Sequence, residues 1–289
     1  VFYDIDNVYR DDVVRAVGAN LADMSVALDC CYGASYRAAS AVFGAAGANV
    51  TVFNAKPCGE KINVECGATC PQNLLQLVAR CKDLPQLSFA FDGDCDRLLV
   101  AEGDKIVPNG KVYFAICRYL SEAGKLVGNA AVGTILTNGG VEQSLNRRGI
   151  ELVRTDVGDQ NVFAAMAKRG LNFGGEESGH YLLTDYATSS DALINALFVA
   201  NIYKQCGSLF EYSSECDETP SVLQSVVVGD AFDTLTAAVL ADESQRVQRL
   251  YPDCRLVLRK SGTERKLRIY AEGEQAEAAA QEVATTFCK

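Results

Sequence analysis

From Ser25 onward the chain alternates short β-rich runs with helical ones, and few folds accommodate that rhythm. "SVALD" is followed by "ASYRAASAVFGAAG", then "NVTVF", "PQNLLQLVARCKD" and "LSFAF". Strands that each return through a helix pair side by side in one direction, so the pattern implies a mostly parallel sheet covered by helices. A second unit of the same kind runs from about Val107 to Cys216, with strands at "AAVGTILT", "IELVRT" and "LNFG". Its helices are expected near Gly110 to Glu122, Val141 to Arg148, Asp159 to Arg169 and Asp191 to Gln205. Beyond the polar stretch "SSECDETPS" the order becomes strand "VLQSVVVG", helix Phe232 to Leu250, strands "RLVLRK" and "KLRIYAEG", and a final helix Gln275 to Phe287. The fold class is therefore α/β: two consecutive mixed or parallel α/β domains followed by a smaller, two-layer α+β C-terminal domain.

The 289 residues suffice for two or three compact domains, and 48% of them are hydrophobic. No run approaches the roughly 18 apolar residues of a membrane span. The opening "VFYDIDNVYRDD" is acidic and mixed, unlike a secretory signal, so a soluble cytoplasmic protein is expected. A net charge of -10 speaks against nucleic acid and membrane surfaces as partners, since both are held by clustered Lys and Arg. The twelve cysteines are scattered without a C-x-x-C pair and read as small buried thiols. With His180 the only histidine, a Cys/His zinc site or a Ser-His-Asp triad has one residue to draw on.

Three loops carry chemistry. In "FAFDGDCDRLLV" the residues Asp92, Asp94 and Asp96 alternate with Gly93 and Cys95 and end at Arg97. Crowded carboxylates repel one another unless something positive sits among them, and an all-oxygen set suits Mg²⁺ or Ca²⁺. An EF-hand is excluded, because Arg97 and Gly103 stand where that loop needs Gly and Glu. An acidic surface turn is the structural alternative. The second loop, Gly174 to His180, exposes Glu176, Ser178 and His180 together, groups able to hydrogen-bond vicinal sugar hydroxyls, although a simple hairpin turn with a packed His180 fits equally. The third, Arg259 to Glu264, lies within a stretch from Arg255 to Arg268 that has six basic residues and one acid. Arg259, Ser261, Gly262 and Thr263 can cradle a dianionic phosphate, the alternative being a solvated basic strand edge.

"DGDCDR", "GEESGH" and "RKSGTE", in this order, resemble the metal-, sugar- and phosphate-binding loops of the α-D-phosphohexomutases. "DCCYGASY" (Asp29 to Tyr36), "INVECGAT" (Ile62 to Thr69) and "DVGD" (Asp156 to Asp159) make the bacterial phosphoglucosamine mutase branch the most similar. The resemblance implies that Asp92, Asp94 and Asp96 ligate Mg²⁺ and that Arg97 helps neutralise the transferring phosphate. It also implies that Glu176 and Ser178 grip sugar hydroxyls with His180 close by, and that Arg259, Ser261, Gly262 and Thr263, helped by Arg268, clamp the phosphate already on the sugar. Its domains divide the chain at 1–106 (metal), 107–217 (sugar) and 218–289 (phosphate).

The activity so implied is the Mg-dependent interconversion of hexosamine 6-phosphate and 1-phosphate, glucosamine phosphate foremost, through a bisphosphate. The family's first domain carries a phosphoserine in a pattern like T-A-S-H-N-P, which has no match here. With Val1 rather than methionine at its start, the chain is expected to lack that domain and to be inactive alone. The alternative is a noncatalytic phosphosugar-binding or regulatory protein descended from the mutase. Four departures from the family pattern bear on that choice: Cys95 for Gly or Ala, Gln160 and Asn161 where an Arg is usual, "PNG" at Pro108 to Gly110, and Arg265 for proline.

Overall fold

The computed structural model describes residues 5–262 and 264–287, without the side chains of residues 5, 6, 230 and 231. The chain divides into two compact units, one built from residues up to Thr137 together with Ser144–Cys216, the other from Asn138–Gln143 together with Asp217 onward.

The elements run α1 (Ile5–Val17), β1 (Ser25–Asp29), α2 (Ala38–Ala45), β2 (Asn49–Phe53), α3 (Pro71–Val78), β3 (Leu87–Phe91), β4 (Leu98–Glu102), β5 (Lys105–Val107) and α4 (Asn109–Glu122). Then come β6 (Ala130–Thr134), α5 (Gly139–Arg147), β7 (Glu151–Thr155), α6 (Asp159–Arg169), β8 (Phe173–Gly175), β9 (Tyr181–Leu183), α7 (Ala192–Cys206) and α8 (Leu209–Tyr212). The last are β10 (Ser221–Val227), α9 (Ala237–Leu250), β11 (Arg255–Lys260), β12 (Lys266–Glu272) and α10 (Ala276–Phe287).

The first unit holds two mixed sheets, ordered β2-β1-β3-β4-β5 and β7-β6-β8-β9. In the first, β1 runs parallel to β2 and β3, while β4 and β5 turn back antiparallel. Every residue of "LSFAF" is buried, because both sheet faces are covered. Phe89 meets Phe43 of α2 on one face, and Ala90 packs with Leu74 and Val78 of α3 on the other. Burying a side chain the size of Phe89 stabilises by about 1.5–3 kcal/mol. Helix α7 is buried nearly all round and packs on β3, β4 and β9, so both sheets share it. Asp191 caps it by accepting from the backbone N–H of Leu193 and Ile194.

In the second unit, antiparallel β10-β12-β11 lays Leu267, Ile269 and Ala271 against Val247 of α9 and Ala279, Ala280 and Val283 of α10. This is the two-layer α+β arrangement read from the sequence.

Helix α1, in a stretch for which the sequence carried no structural expectation, is anchored by the Tyr9 hydroxyl, which donates to Asp191 at 2.8 Å. Three local expectations are corrected. Strand "AAVGTILT" stops at Thr134, where the Thr137 hydroxyl accepts the Thr134 N–H and turns the chain. The helix in "ASYRAASAVFGAAG" is split into a 3-10 turn at Ala34–Tyr36 and α2. The helix expected from Phe232 begins at Ala237, because Thr236 caps it through the Val239 N–H after a 3-10 segment. Among the described residues no helix is long and apolar enough to cross a membrane.

Candidate functional site

The acidic loop leaves the carboxyl end of β3, the edge at which open α/β sheets place their ligands. Asp92 is fully buried. Its Oδ1 accepts the backbone N–H of Asp96 and of Arg97, each at 3.1 Å, and its Oδ2 accepts Arg97 Nε at 2.5 Å. Burial by itself raises Asp92, yet the Arg97 backbone N–H and guanidinium outweigh it and hold the carboxyl below its ordinary value. Asp96 goes the other way. Burial first, then the charge on Asp92, pushes its carboxyl up to about 7.

Asp92, Asp94 and Asp96 each present an oxygen within 4.8 Å of the others. Asp96 Oδ1 is buried and has no hydrogen-bond partner among the described residues. Three hard oxygens, one of them unsatisfied, fit Mg²⁺. Cys95, at the crown of the loop, has a φ of +66°. That left-handed conformation suits glycine, so the cysteine costs strain here.

The hairpin between β8 and β9 lies directly against this loop. Leu98 N–H donates to the Gly179 carbonyl at 3.0 Å, and Gly179 has a φ of +85° with no room for a Cβ beside the Leu98 carbonyl. His180 is buried, as in the packed-hairpin alternative read from the sequence, and its Nε2 lies 3.5 Å from Asp96 Oδ2. Glu176 Oε1 accepts the Gly158 N–H at 2.8 Å, and its Oε2 faces the Ser178 hydroxyl at 3.4 Å. The structure thus brings Asp92, Asp94, Asp96, Arg97, Glu176, Ser178 and His180 into one compact unit.

Sequence reasoning missed three supports. Ser190 Oγ donates to the Asp96 carbonyl at 2.6 Å, Ala192 N–H donates to the Cys95 carbonyl at 3.0 Å, and Gly158 positions Glu176. The signal for the first two was "SSD" just before an apolar helical run, a helix N-terminus aimed at whatever precedes it.

In the second unit, Arg259 pairs directly with Arg268 across β11 and β12. Like charges placed opposite one another repel, so this register places two cations where an anion would be favoured. Ser261 is buried, its N–H donates to the Lys266 carbonyl at 2.8 Å, and its hydroxyl has no partner among the described residues. Gly262 follows in open space, and Thr263 lies outside the described residues. Arg265 pairs with Asp233 at 2.7 Å, Lys266 with Glu264 at 2.7 Å, and Lys260 lies over the Phe232 ring at 4.2 Å.

Two family models match: phosphoglucomutase/phosphomannomutase alpha/beta/alpha domain III over residues 109–219 and the C-terminal domain over 225–289, together more than half of the chain. The chain belongs to the phosphoglucomutase/phosphomannomutase family. Its relatives include the phosphoglucosamine mutase of Pelotomaculum thermopropionicum, 34% identical over 94% of this chain and 61% of that protein. That of Thermoanaerobacter pseudethanolicus is 37% identical over 92% and 60%. The chain spans about three fifths of the length of these curated relatives.

Solved phosphohexomutases share the fold. An Aspergillus fumigatus N-acetylphosphoglucosamine mutase, in complex with GlcNAc-6P and magnesium, superposes with a TM-score of 0.77 at 20% identity, over 97% of this chain and 70% of that one. A Burkholderia thailandensis phosphoglucomutase/phosphomannomutase family protein gives 0.76 at 21% identity, over 99% and 63%.

Proposed function

We propose that the chain supplies the cation, sugar and phosphate loops of a phosphoglucosamine mutase-like phosphohexomutase, which interconverts hexosamine 6-phosphate and 1-phosphate through a bisphosphate. The observation that carries this reading is the Gly174–His180 hairpin laid against the acidic loop through Leu98 and Gly179. Asp92, Asp94 and Asp96 would hold Mg²⁺. When bound, the cation neutralises charge on phosphoryl oxygens, the main demand of phosphoryl transfer. Arg97 adds a second positive group while its Nε–H keeps Asp92 ionised and in place. Glu176 and Ser178 orient sugar hydroxyls, and His180 steadies Asp96 from behind. Arg259, Ser261, Gly262 and Thr263, with Arg268 beside Arg259, take the phosphate that stays on the sugar.

The division at 1–106, 107–217 and 218–289 belongs to this reading, as does a cytoplasmic location suited to the substrate class. With no T-A-S-H-N-P-like serine pattern in the sequence, the chain binds phosphosugar and does not turn it over alone. Gln160 in place of an arginine favours a second reading, a noncatalytic phosphosugar-binding protein of the same descent. Calorimetric titration with glucosamine 6-phosphate tests the phosphate assignment. Saturable binding that Arg259→Ala weakens more than about tenfold, the loss of one charge-assisted hydrogen bond or more, is expected. Binding indifferent to Arg259→Ala overturns it.

A further inference from the structure

Two segments that resemble the family, "DCCYGASY" and "INVECGAT", have no part in the site described, and they meet at a pair of thiols. The Cys31 and Cys66 sulfurs lie 3.6 Å apart, and both residues are buried. One short loop holds both. The Asn63 N–H donates to the Cys31 sulfur at 3.2 Å, the Cys31 thiol donates to Asn63 Oδ1 at 3.1 Å, and the Cys66 thiol reaches the Lys61 carbonyl at 3.5 Å. The pair is not sealed off, since Cys66 lines a cleft of about 410 Å³ beside Tyr32, Asn54, Lys61 and Arg80. The same loop touches the acidic loop, with Ile62 and Asn63 so close over Gly93 that a Cβ on that glycine would collide with Ile62.

We propose that Cys31 and Cys66 form an oxidisable pair, which a hydroperoxide converts into a disulfide that loosens cation binding at Asp92–Arg97. The second half of this rests on that loop being a cation site. The Cys66 thiolate attacks a peroxide oxygen, the O–O bond breaks, and the other oxygen leaves with a proton as water or an alcohol. Cys31 then attacks the Cys66 sulfenic acid, an S–S bond forms and water departs. The two thiols give up two electrons and two protons, and one hydroperoxide takes them up. Bringing the sulfurs from 3.6 Å to about 2.05 Å shifts the acceptor of the Asn63 N–H and with it the loop that holds Ile62 and Asn63 over Gly93. Burial pushes the Cys31 thiol up to about 12 and raises Cys66, so oxidation is slow at neutral pH and quickens as the thiolate fraction grows.

The test treats the whole chain with hydrogen peroxide, blocks remaining thiols, and maps cross-linked peptides by mass spectrometry. A Cys31–Cys66 peptide is expected, lost on reduction and absent from Cys66→Ser and from Cys31→Ala, and formed faster at about pH 9 than at about pH 7. In a parallel Mn²⁺ titration the oxidised chain is expected to bind about tenfold more weakly than the reduced one, the scale of a lost outer support. Oxidation of other thiols with no Cys31–Cys66 link overturns the pair. A link that leaves Mn²⁺ affinity unchanged overturns the coupling. A reduced chain that binds no Mn²⁺ overturns the cation reading of the acidic loop, on which the cross-link does not depend.

Discussion

The acidic loop at 92–97 and the basic loop at 259–268 crowd like charges in two different ways. The first is fixed from many directions. Asp92 is spent on two amides and a guanidinium, the Ser190 hydroxyl and the Ala192 N–H pin the backbone, and Leu98 ties the hairpin in place. The second relies on strand register, which sets Arg259 beside Arg268 and leaves the reach to two long side chains. A small cation rewards oxygens fixed to within tenths of an ångström, whereas a phosphate several ångströms across is matched by flexible arginine forks. Rigidity at one loop and repulsion at the other are the properties to attack.

The largest effect is expected at the tie between hairpin and acidic loop. Gly179→Ala forces a Cβ against the Leu98 carbonyl at a positive φ, and urea unfolding should show a loss of roughly 3 kcal/mol. A loss under about 1 kcal/mol would mean that the hairpin yields easily and the acidic loop is less fixed than its contacts suggest. Next comes Asp94→Ala, which removes the exposed carboxylate of the three. It should leave stability unchanged and weaken Mg²⁺ binding on the order of a hundredfold by calorimetry, a result that separates ligation from folding.

Ser190→Ala should cost about 1 kcal/mol of stability and weaken Mg²⁺ several-fold, with Ser190→Thr restoring both. The smallest change is predicted at the basic loop. Arg268→Gln relieves the pairing with Arg259, so thermal unfolding should show a gain of about 0.5 kcal/mol while glucosamine 6-phosphate binding falls. A loss of stability instead would mean that the two guanidiniums are not in conflict.

The same contrast explains what the sequence discloses. "LSFAF" and "SVALD" announce buried strands because they are short, mostly apolar runs, and Asp92, Asp94 and Asp96 announce a cluster of carboxylates because their spacing is local. The burial of His180 depends on how closely Gly179 lets the hairpin approach Leu98, an approach made by residues about eighty positions apart. Helix α1 stayed hidden for a similar reason. Its anchor is Tyr9 on Asp191, and its acidic, weakly apolar sequence gives little periodic signal of its own. In the second unit the two layers follow from alternation along β12, where Leu267, Ile269 and Ala271 turn inward. The Arg259–Arg268 pairing required the register, which hydrophobic pattern fixes only once the strand partners are known.

The central proposal, that these loops bind a hexosamine phosphate and a divalent cation, is met most directly by ³¹P NMR. The sample is the chain with Mg²⁺, glucosamine 6-phosphate and a trace of the 1,6-bisphosphate. The expected result is a broadened or shifted 6-phosphate signal that Arg259→Ala abolishes, with no 1-phosphate formed. A 6-phosphate signal unchanged by saturating chain would contradict the claim.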